Sequence, residues 1–390
     1  MSLYLKNIIF IDKTILFLNN TSEIIYFIYY MNNIEKKRNK IQEIKERLLL
    51  TEDDFKNIKD KMKEYYGKYV KNNNELYNDY NLLKTKINKN HRLNKSVSSG
   101  PRNTVKFKQD IYKNELRKII DFLLLQLENF KDFESIMIFV AKQRKIIELL
   151  KLELDNYNIF GKFREIRIFS PIISSRGSHL INNIVSEYGQ NKCRYKNKKL
   201  TYIRNKIGQG NVKHLCWEHT LPKFILQLFD EMNEIYEEFK RSLLYKNNKN
   251  QIKNSLSFNL LSSNDKVIKT EQIKGSLSSN DKVIRTEQSN NLLSKLYWLY
   301  MQTCPFERGS ASIGEMIFSA LLQKHFDCDF RLFREPFNPH LIPDIHALTY
   351  PLEYFQSIFW DQFVSCENYK NNFSRNSNWN NYMNKRNHNL

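Results

Sequence analysis

Residues Cys304–Phe326 read CPFERGSASIGEMIFSALLQKHF. A proline-bearing turn with one arginine and a dense run of small residues leads directly into Ile313, Met316, Ile317, Ala320 and Leu321. These recur at three- and four-residue spacing, the period of a helix with one buried face. The stretch therefore predicts a helix entered through a tight turn. The same period appears in Leu116, Ile119, Ile120, Leu123 and Leu127, in SIMIFVAKQRKIIELLKLEL (135–154), and at Phe224, Leu226, Phe229 and Met232. Thr220 is placed to cap that last helix, with Pro222 in its first turn. Extended structure is confined to a short alternation at Ile166–Ile168 and to the basic KCRYKNKKLTYIRNK (192–206), which reads as a hairpin or an irregular loop. The expected fold class is mainly α, with α+β as the alternative: a helical N-terminal arm followed by a helix-dominated mixed domain.

Domain limits follow from shifts in composition. Residues 1–31 hold two apolar bursts split by Asp12, Lys13 and the NNTSE segment. Neither burst reaches the roughly 18 to 20 residues a bilayer span requires, and no small-residue cleavage site of secretory type follows. This apolar N-terminal extension is expected to precede a working chain beginning at Met31, or to lie on a membrane surface. Residues 32–95 form a charged helical arm with Ile41, Ile44, Leu48 and Leu49 on its apolar side. Its coiled-coil character is not sustained as a regular heptad through KNNNELYNDYN. SVSSGPRN (96–103) is a loop and a boundary. The main domain, 104–373, is interrupted at about 246–291 by a polar insertion, in which SSNDKVIKTEQ (262–272) returns as SSNDKVIRTEQ (278–288). Two copies cannot form a solenoid, so the reading is a duplicated surface insertion. A basic, Asn-rich tail occupies 374–390.

The chain of 390 residues has 62 Lys plus Arg against 42 Asp plus Glu, a formal charge of +20. That charge favours anionic partners: nucleic acid, an acidic membrane or an acidic protein. Lys and Asn are abundant throughout, so a coding bias accounts for the same excess. Basic stretches interleaved with Tyr and Trp suit phosphate neutralisation and base stacking, without a helix-turn-helix, RRM or finger signature. Cys193, Cys216, Cys304, Cys328 and Cys366 are odd in number, widely spaced and free of CxxC pairs. A reducing compartment is therefore expected in preference to a disulfide scaffold, and the chain is placed in a cytoplasm.

Several constellations could carry chemistry. Arg308, Gly309 and Ser310 form a candidate anion seat: the glycine permits close approach, the helix start offers oriented N–H donors, and the guanidinium adds a fork for phosphate or carboxylate. Ser312 with Glu315 fits a capping box; with Ser310 as the cap, Glu315 is freed to face a site. The segment is not a complete Walker loop. The alternative is that Arg308 pairs with Glu307 or Glu315 and only holds the turn. SSRGSH (174–179) repeats the Arg-Gly-Ser order, with Arg176 and Ser178 ahead of His179, an acid or base near neutral pH. His214, Cys216 and His219, with Cys193 upstream, could bind zinc, but their spacing matches no usual finger, and no metal site is assigned. Cys304 could act as a nucleophile with His325, His340 or His346 as base and Asp344 as orienter; it could equally be a buried anchor of the turn.

Ser178 and His179 resemble the start of the SHxxxE motif of a family of bacterial effectors and toxins that transfer an adenylyl group from ATP. The position of the family's glutamate is Asn183 here, and Glu187 lies one helical turn further on. The resemblance implies an ATP-using nucleotidyltransferase delivered into a host cell, with Mg, a protein substrate and a host activator protein. Ser178, His179, Glu187 and Glu315 would serve catalysis, while Arg176, Arg308, Gly309 and Ser310 would hold the nucleotide. The alternatives are a non-enzymatic helical protein that binds nucleic acid, acidic membrane or a partner, and a Cys-dependent hydrolase or acyltransferase.

Overall fold

A computed structural model describes residues 21–67, 102–151, 158–171, 194–196, 198–207, 213–260, 279–331 and 342–366. The chain divides into two units, Met1–Arg47 and Leu48–Leu390. In the first, helix α1 (Thr21–Arg47) carries the charged sequence predicted for the arm, with Glu43 facing Lys40 at 3.7 Å and Arg47 at 3.5 Å along one face.

The second unit is mainly α. Helix α2 (Glu52–Gly67) opens with a reciprocal cap: the Thr51 hydroxyl accepts from the Asp54 amide at 3.3 Å, and the Asp54 carboxylate accepts from the Thr51 amide at 2.7 Å. Helices α3 (Arg102–Gln126) and α4 (Phe133–Leu150) follow, the latter capped by Asp132, which accepts from the Ser135 amide. Tyr66 of α2 donates to the Leu150 carbonyl at 2.7 Å, and Tyr65 donates to buried Glu115 of α3 at 2.8 Å. The α3 face predicted from spacing is the buried one: Leu116, Ile119, Ile120 and Leu123 are all in the core, as is Leu127 beyond the helix end.

Between α4 and the next long helix lies the β component. Strands β1 (Phe169–Pro171), β4 (Tyr202–Ile207) and β5 (Lys213–Glu218) form an antiparallel sheet in the order β1-β5-β4, and β2 (Arg194–Tyr195) pairs with β3 (Lys198–Lys199). The basic segment thus contributes a hairpin and the first strand of another. Ile166–Ile168 does not become a strand; β1 begins one residue later, and Ile166 is exposed.

Helix α5 (Ile225–Leu260) follows a 3-10 turn over Pro222–Phe224. Thr220 is not its cap. Its hydroxyl donates to the Gln302 carbonyl at 2.7 Å, drawn there because that carbonyl ends another helix and lacks a helical partner. The buried face of α5 is Ile225, Leu228, Phe229, Met232, Ile235, Tyr236 and Phe239, so Phe229 and Met232 were correctly assigned and Phe224 and Leu226 lie at its margin. Helix α5 runs on to Leu260, and α6 (Ser279–Thr303) already includes most of the second repeat copy. The insertion is therefore narrower than 246–291 as an interruption of structure, and 261–278 lies outside the described residues.

Helices α6 and α7 (Ser310–Phe326) make the centre. Every residue from Ser312 to Leu322 of α7 is buried. The predicted stripe broadens into a helix surrounded on all sides, by α3, α4 and α6. Tyr297, Trp298 and Tyr300 of α6 are fully buried, with Tyr297 edge-on to Phe318 at 4.9 Å. Two short helices, α8 (Pro343–Thr349) and α9 (Leu352–Ile358), cover α6 from the other side. Strand β6 (Asp329–Phe330) pairs with β7 (Val364–Ser365), and a disulfide joins Cys328 to Cys366 beside them. This corrects the expectation of uniformly reduced cysteines: the long spacing that argued against pairing is closed by the β6-β7 contact. No helix among the described residues is long and apolar enough to cross a membrane.

Candidate functional site at the turn between two central helices

The turn from Cys304 to Gly309 joins the two central helices, α6 and α7, and its backbone is held by a segment laid beside it. The Gly161 amide donates to the Arg308 carbonyl at 3.1 Å, the Glu307 amide to the Lys162 carbonyl at 2.9 Å, and the Arg164 amide to the Pro305 carbonyl at 3.0 Å. Cys304 has φ 44°, a left-handed conformation that non-glycine residues rarely adopt. Held against this segment, the turn fixes the direction of the Cys304 side chain.

That side chain meets His219. The Cys304 thiol lies against His219 and Ser310, and the Arg164 guanidinium acts on it electrostatically. Burial pushes the thiol up in pKa, but His219, Arg164 and Ser310 outweigh it and lower it to about 7. His219 directly follows β5, is buried, and is fixed through its amide, which donates to the Ile168 carbonyl at 3.2 Å. The sheet thereby delivers an imidazole to the end of α6. The other free cysteine among the described residues, Cys216, is buried on β5, whereas Cys304 is partly exposed.

Arg164 is completely buried and binds main chain alone. Nε donates to the Cys304 carbonyl at 2.7 Å, Nη2 to the Thr303 carbonyl at 2.9 Å and the Thr220 carbonyl at 2.6 Å, and Nη1 to the Ile166 carbonyl at 3.3 Å. Gln302 adds a second clasp: its side chain accepts from the Thr201 amide at 3.0 Å, and its carbonyl accepts from the hydroxyls of Thr201 and Thr220.

The start of α7 differs from both predicted caps. Gly309, at φ 87°, is the cap residue, and no side chain caps the helix. Ser310 instead folds back, its hydroxyl accepting from the Phe306 amide and donating to the Phe306 carbonyl, both at 3.1 Å. The Ser312 hydroxyl donates to the Gly309 carbonyl and accepts from Arg144 Nε, each at 3.0 Å. Glu315 is buried inside the helix packing. The Arg308 guanidinium lies over the Phe160 ring, 5.0 Å from its centre, while Glu307 pairs with Lys162 at 2.7 Å.

The histidine beside Cys304 is upstream of it in sequence, and the described downstream histidines lie elsewhere. His325 packs edge-on against Phe239 toward the far end of α7, and His346 is buried against Tyr350 and Phe363. His340, and Arg176, Ser178, His179, Asn183 and Glu187, lie outside the described residues. So do Cys193 and the side chain of His214, and His219 is turned to Cys304. Among the described residues no group of three or more His, Cys, Asp or Glu is placed to hold a metal. Sequence reading named Cys304 and His219 separately and missed Arg164. A cavity of about 500 Å³ lies at the opposite end of α7, lined by Lys324, His325, Trp360 and the Cys328–Cys366 bridge, and does not serve Cys304.

No protein-family model and no curated protein matches this chain.

Proposed function

We propose that the protein is a thiol-dependent hydrolase or acyltransferase, with Cys304 as nucleophile and His219 as general base. The observation that carries this reading is the placement of the His219 imidazole against the Cys304 thiol, which favours the thiolate. A nucleophile is activated by a base within such reach. The left-handed backbone at Cys304 is the kind of strain that accompanies presented side chains.

In the proposed reaction His219 accepts the thiol proton and Sγ attacks an acyl carbonyl carbon. The tetrahedral oxyanion collapses, and the leaving group departs with the proton held by the imidazolium. The resulting thioester is opened by water or by an acceptor hydroxyl or amine, whose proton passes to His219, restoring the thiol. The first amides of α7 are supplied by the same turn, and Ser310 touches the thiol itself, so the positive end of that helix supports a thiolate. In this reading the anion seat at Arg308, Gly309 and Ser310 serves the acyl group's charge.

The test is acylation of the full chain with p-nitrophenyl acetate, followed by peptide mapping. One hydroxylamine-sensitive acetyl group on Cys304, absent in Cys304→Ser and formed at least tenfold more slowly in His219→Ala, is expected. Acetylation of Cys304 no faster than of an ordinary thiol would sink the reading.

A second reading, a nucleotidyltransferase using ATP and Mg, is favoured by one observation: α7 begins without a side-chain cap, with Arg308 beside its first turn. Nucleotide binding by the full chain that is lost in Arg308→Ala, with folding intact, would support it; unchanged affinity would remove it.

A further inference from the structure

Arg164 presents an uncommon electrostatic situation. Its guanidinium is fully buried, and its partners are four main-chain carbonyls with no carboxylate among them. A buried charge without a counter-charge is costly. Two of those carbonyls, Thr303 and Cys304, end α6, where the helix dipole is negative. A third belongs to Thr220, the residue after His219. The same guanidinium therefore touches the segment that carries the thiol and the segment that carries the imidazole.

We propose that Arg164 is a positioning residue for the Cys304–His219 pair: it fixes the spacing of the two segments, cancels the negative end of α6, and supplies the positive charge that a Cys304 thiolate balances. This inference rests on the reading of Cys304 as an activated nucleophile. Geometry gives each part its reason. The Cys304 side chain lies just beyond the carboxyl end of α6, where the uncancelled dipole would oppose a thiolate. A planar fork can reach Cys304, Thr303 and Thr220 together; an ammonium, a compact charge on a flexible stem, lacks that fixed plane. Through the Thr220 carbonyl, the fork also limits how far His219 can withdraw from the thiol.

The cavity beside the disulfide has mixed lining and nothing that selects a ligand. The exposed Phe122 and Leu125 on α3 form an apolar spot with nothing to indicate what covers it.

The experiment is the pH dependence of iodoacetamide alkylation at Cys304, resolved by peptide mass spectrometry, in the intact chain and in Arg164→Gln and Arg164→Lys, with circular dichroism as the check on folding. In the unsubstituted chain the rate should rise through about pH 7. A midpoint at the ordinary thiol value of about 8.5 would overturn the nucleophile reading, and this inference with it. Given a low midpoint, Arg164→Gln should raise it by at least about one pH unit and Arg164→Lys by a smaller amount. An unchanged midpoint in folded Arg164→Gln would leave the nucleophile reading intact and overturn the role given to Arg164. Should the glutamine variant fail to fold, the lysine variant decides: a midpoint raised by about half a unit supports the fork, and an unchanged one overturns it. A merely structural clasp would alter melting without moving this midpoint.

Discussion

Gly314 of α7 faces Tyr300 of α6 so closely that a Cβ on the glycine would lie 2.6 Å from the tyrosine ring and 2.5 Å from Met301 Cε. The two helices reach this separation because one of them lacks a side chain at the crossing. Tyr300 is fully buried, and its hydroxyl donates to the Ser310 carbonyl at 2.8 Å, so the ring cannot swing aside without breaking that bond. Gly314→Ala should therefore destabilise the protein. Overpacking costs about 1–3 kcal/mol, and the better helix propensity of alanine returns about 1 kcal/mol. A net loss of up to about 2 kcal/mol in denaturant unfolding is expected, together with slower alkylation of Cys304 as the turn is displaced. A stability equal to or above that of the unsubstituted protein would show that the crossing yields.

The helical part of this architecture was legible because its signal is local. The α3 face from Leu116 to Leu127 is a period within one segment, and every member is buried. Thr220 was misread for a reason of the same scale. A threonine ahead of a helix has the chemistry of a cap, but the unsatisfied Gln302 carbonyl, far away in sequence, took its hydroxyl. The candidate site divides similarly. Cys304 and its turn were legible from composition, whereas the pairing with His219 depends on the register of β5 in its sheet, and sequence order pointed to histidines downstream. Arg164 gave no signal, because in FGKFREIRIF it stands beside Lys162 and Arg167 and resembles any exposed basic residue. The Cys328–Cys366 pairing required knowing that β7 returns to β6.

Reduction of that bridge should weaken the end of the domain. The bond closes a loop with a sequence separation of 38 residues, for which chain entropy gives about 3–4 kcal/mol. The strand pair has other support: Arg331 Nε donates to the Val364 carbonyl at 3.0 Å, and Phe330 stands edge-on to Phe359. Cys366→Ser should lower the denaturation free energy by no more than that amount while leaving helical content near its original value. Identical unfolding midpoints with and without reductant would show that the bond adds nothing in solution.

Lys145 of α4 is buried, and its ammonium donates to the Leu48 carbonyl at 2.9 Å. Burial, reinforced by Lys142 and Lys162, lowers it to about 8. Between about pH 8 and the unfolded lysine value near 10.4, the unfolded chain holds a proton that the native protein has released. Stability from this group therefore rises with pH across that window, and the penalty is largest below it. Lys145→Met should stabilise the protein by about 1–2 kcal/mol at pH 7, and the difference should shrink by pH 10. A methionine variant less stable at pH 7 would mean that the bond to Leu48 outweighs the cost of the buried charge.

The Cys304 thiol is linked to stability in the same direction, although here the native form above the folded value is the charged one. It is an acid, and with its folded value lowered to about 7 against an unfolded one near 8.5, the native protein releases the proton first as pH rises. From about pH 7 to 8.5 the unfolded state binds more protons than the native state, so this group's contribution grows with pH. It is fully present above 8.5 and lost as pH falls through 7. Measured as the difference between the unsubstituted protein and Cys304→Ser, it should be nearly constant below pH 6 and increase by no more than about 2 kcal/mol by pH 9. In the His219→Gln background the same difference should flatten, because the neutral amide cannot hold a thiolate as an imidazolium does. Parallel pH curves for the Cys304→Ser and unsubstituted proteins would mean that the thiol titrates alike in the native and unfolded states, and that its contact with His219 does not favour the thiolate.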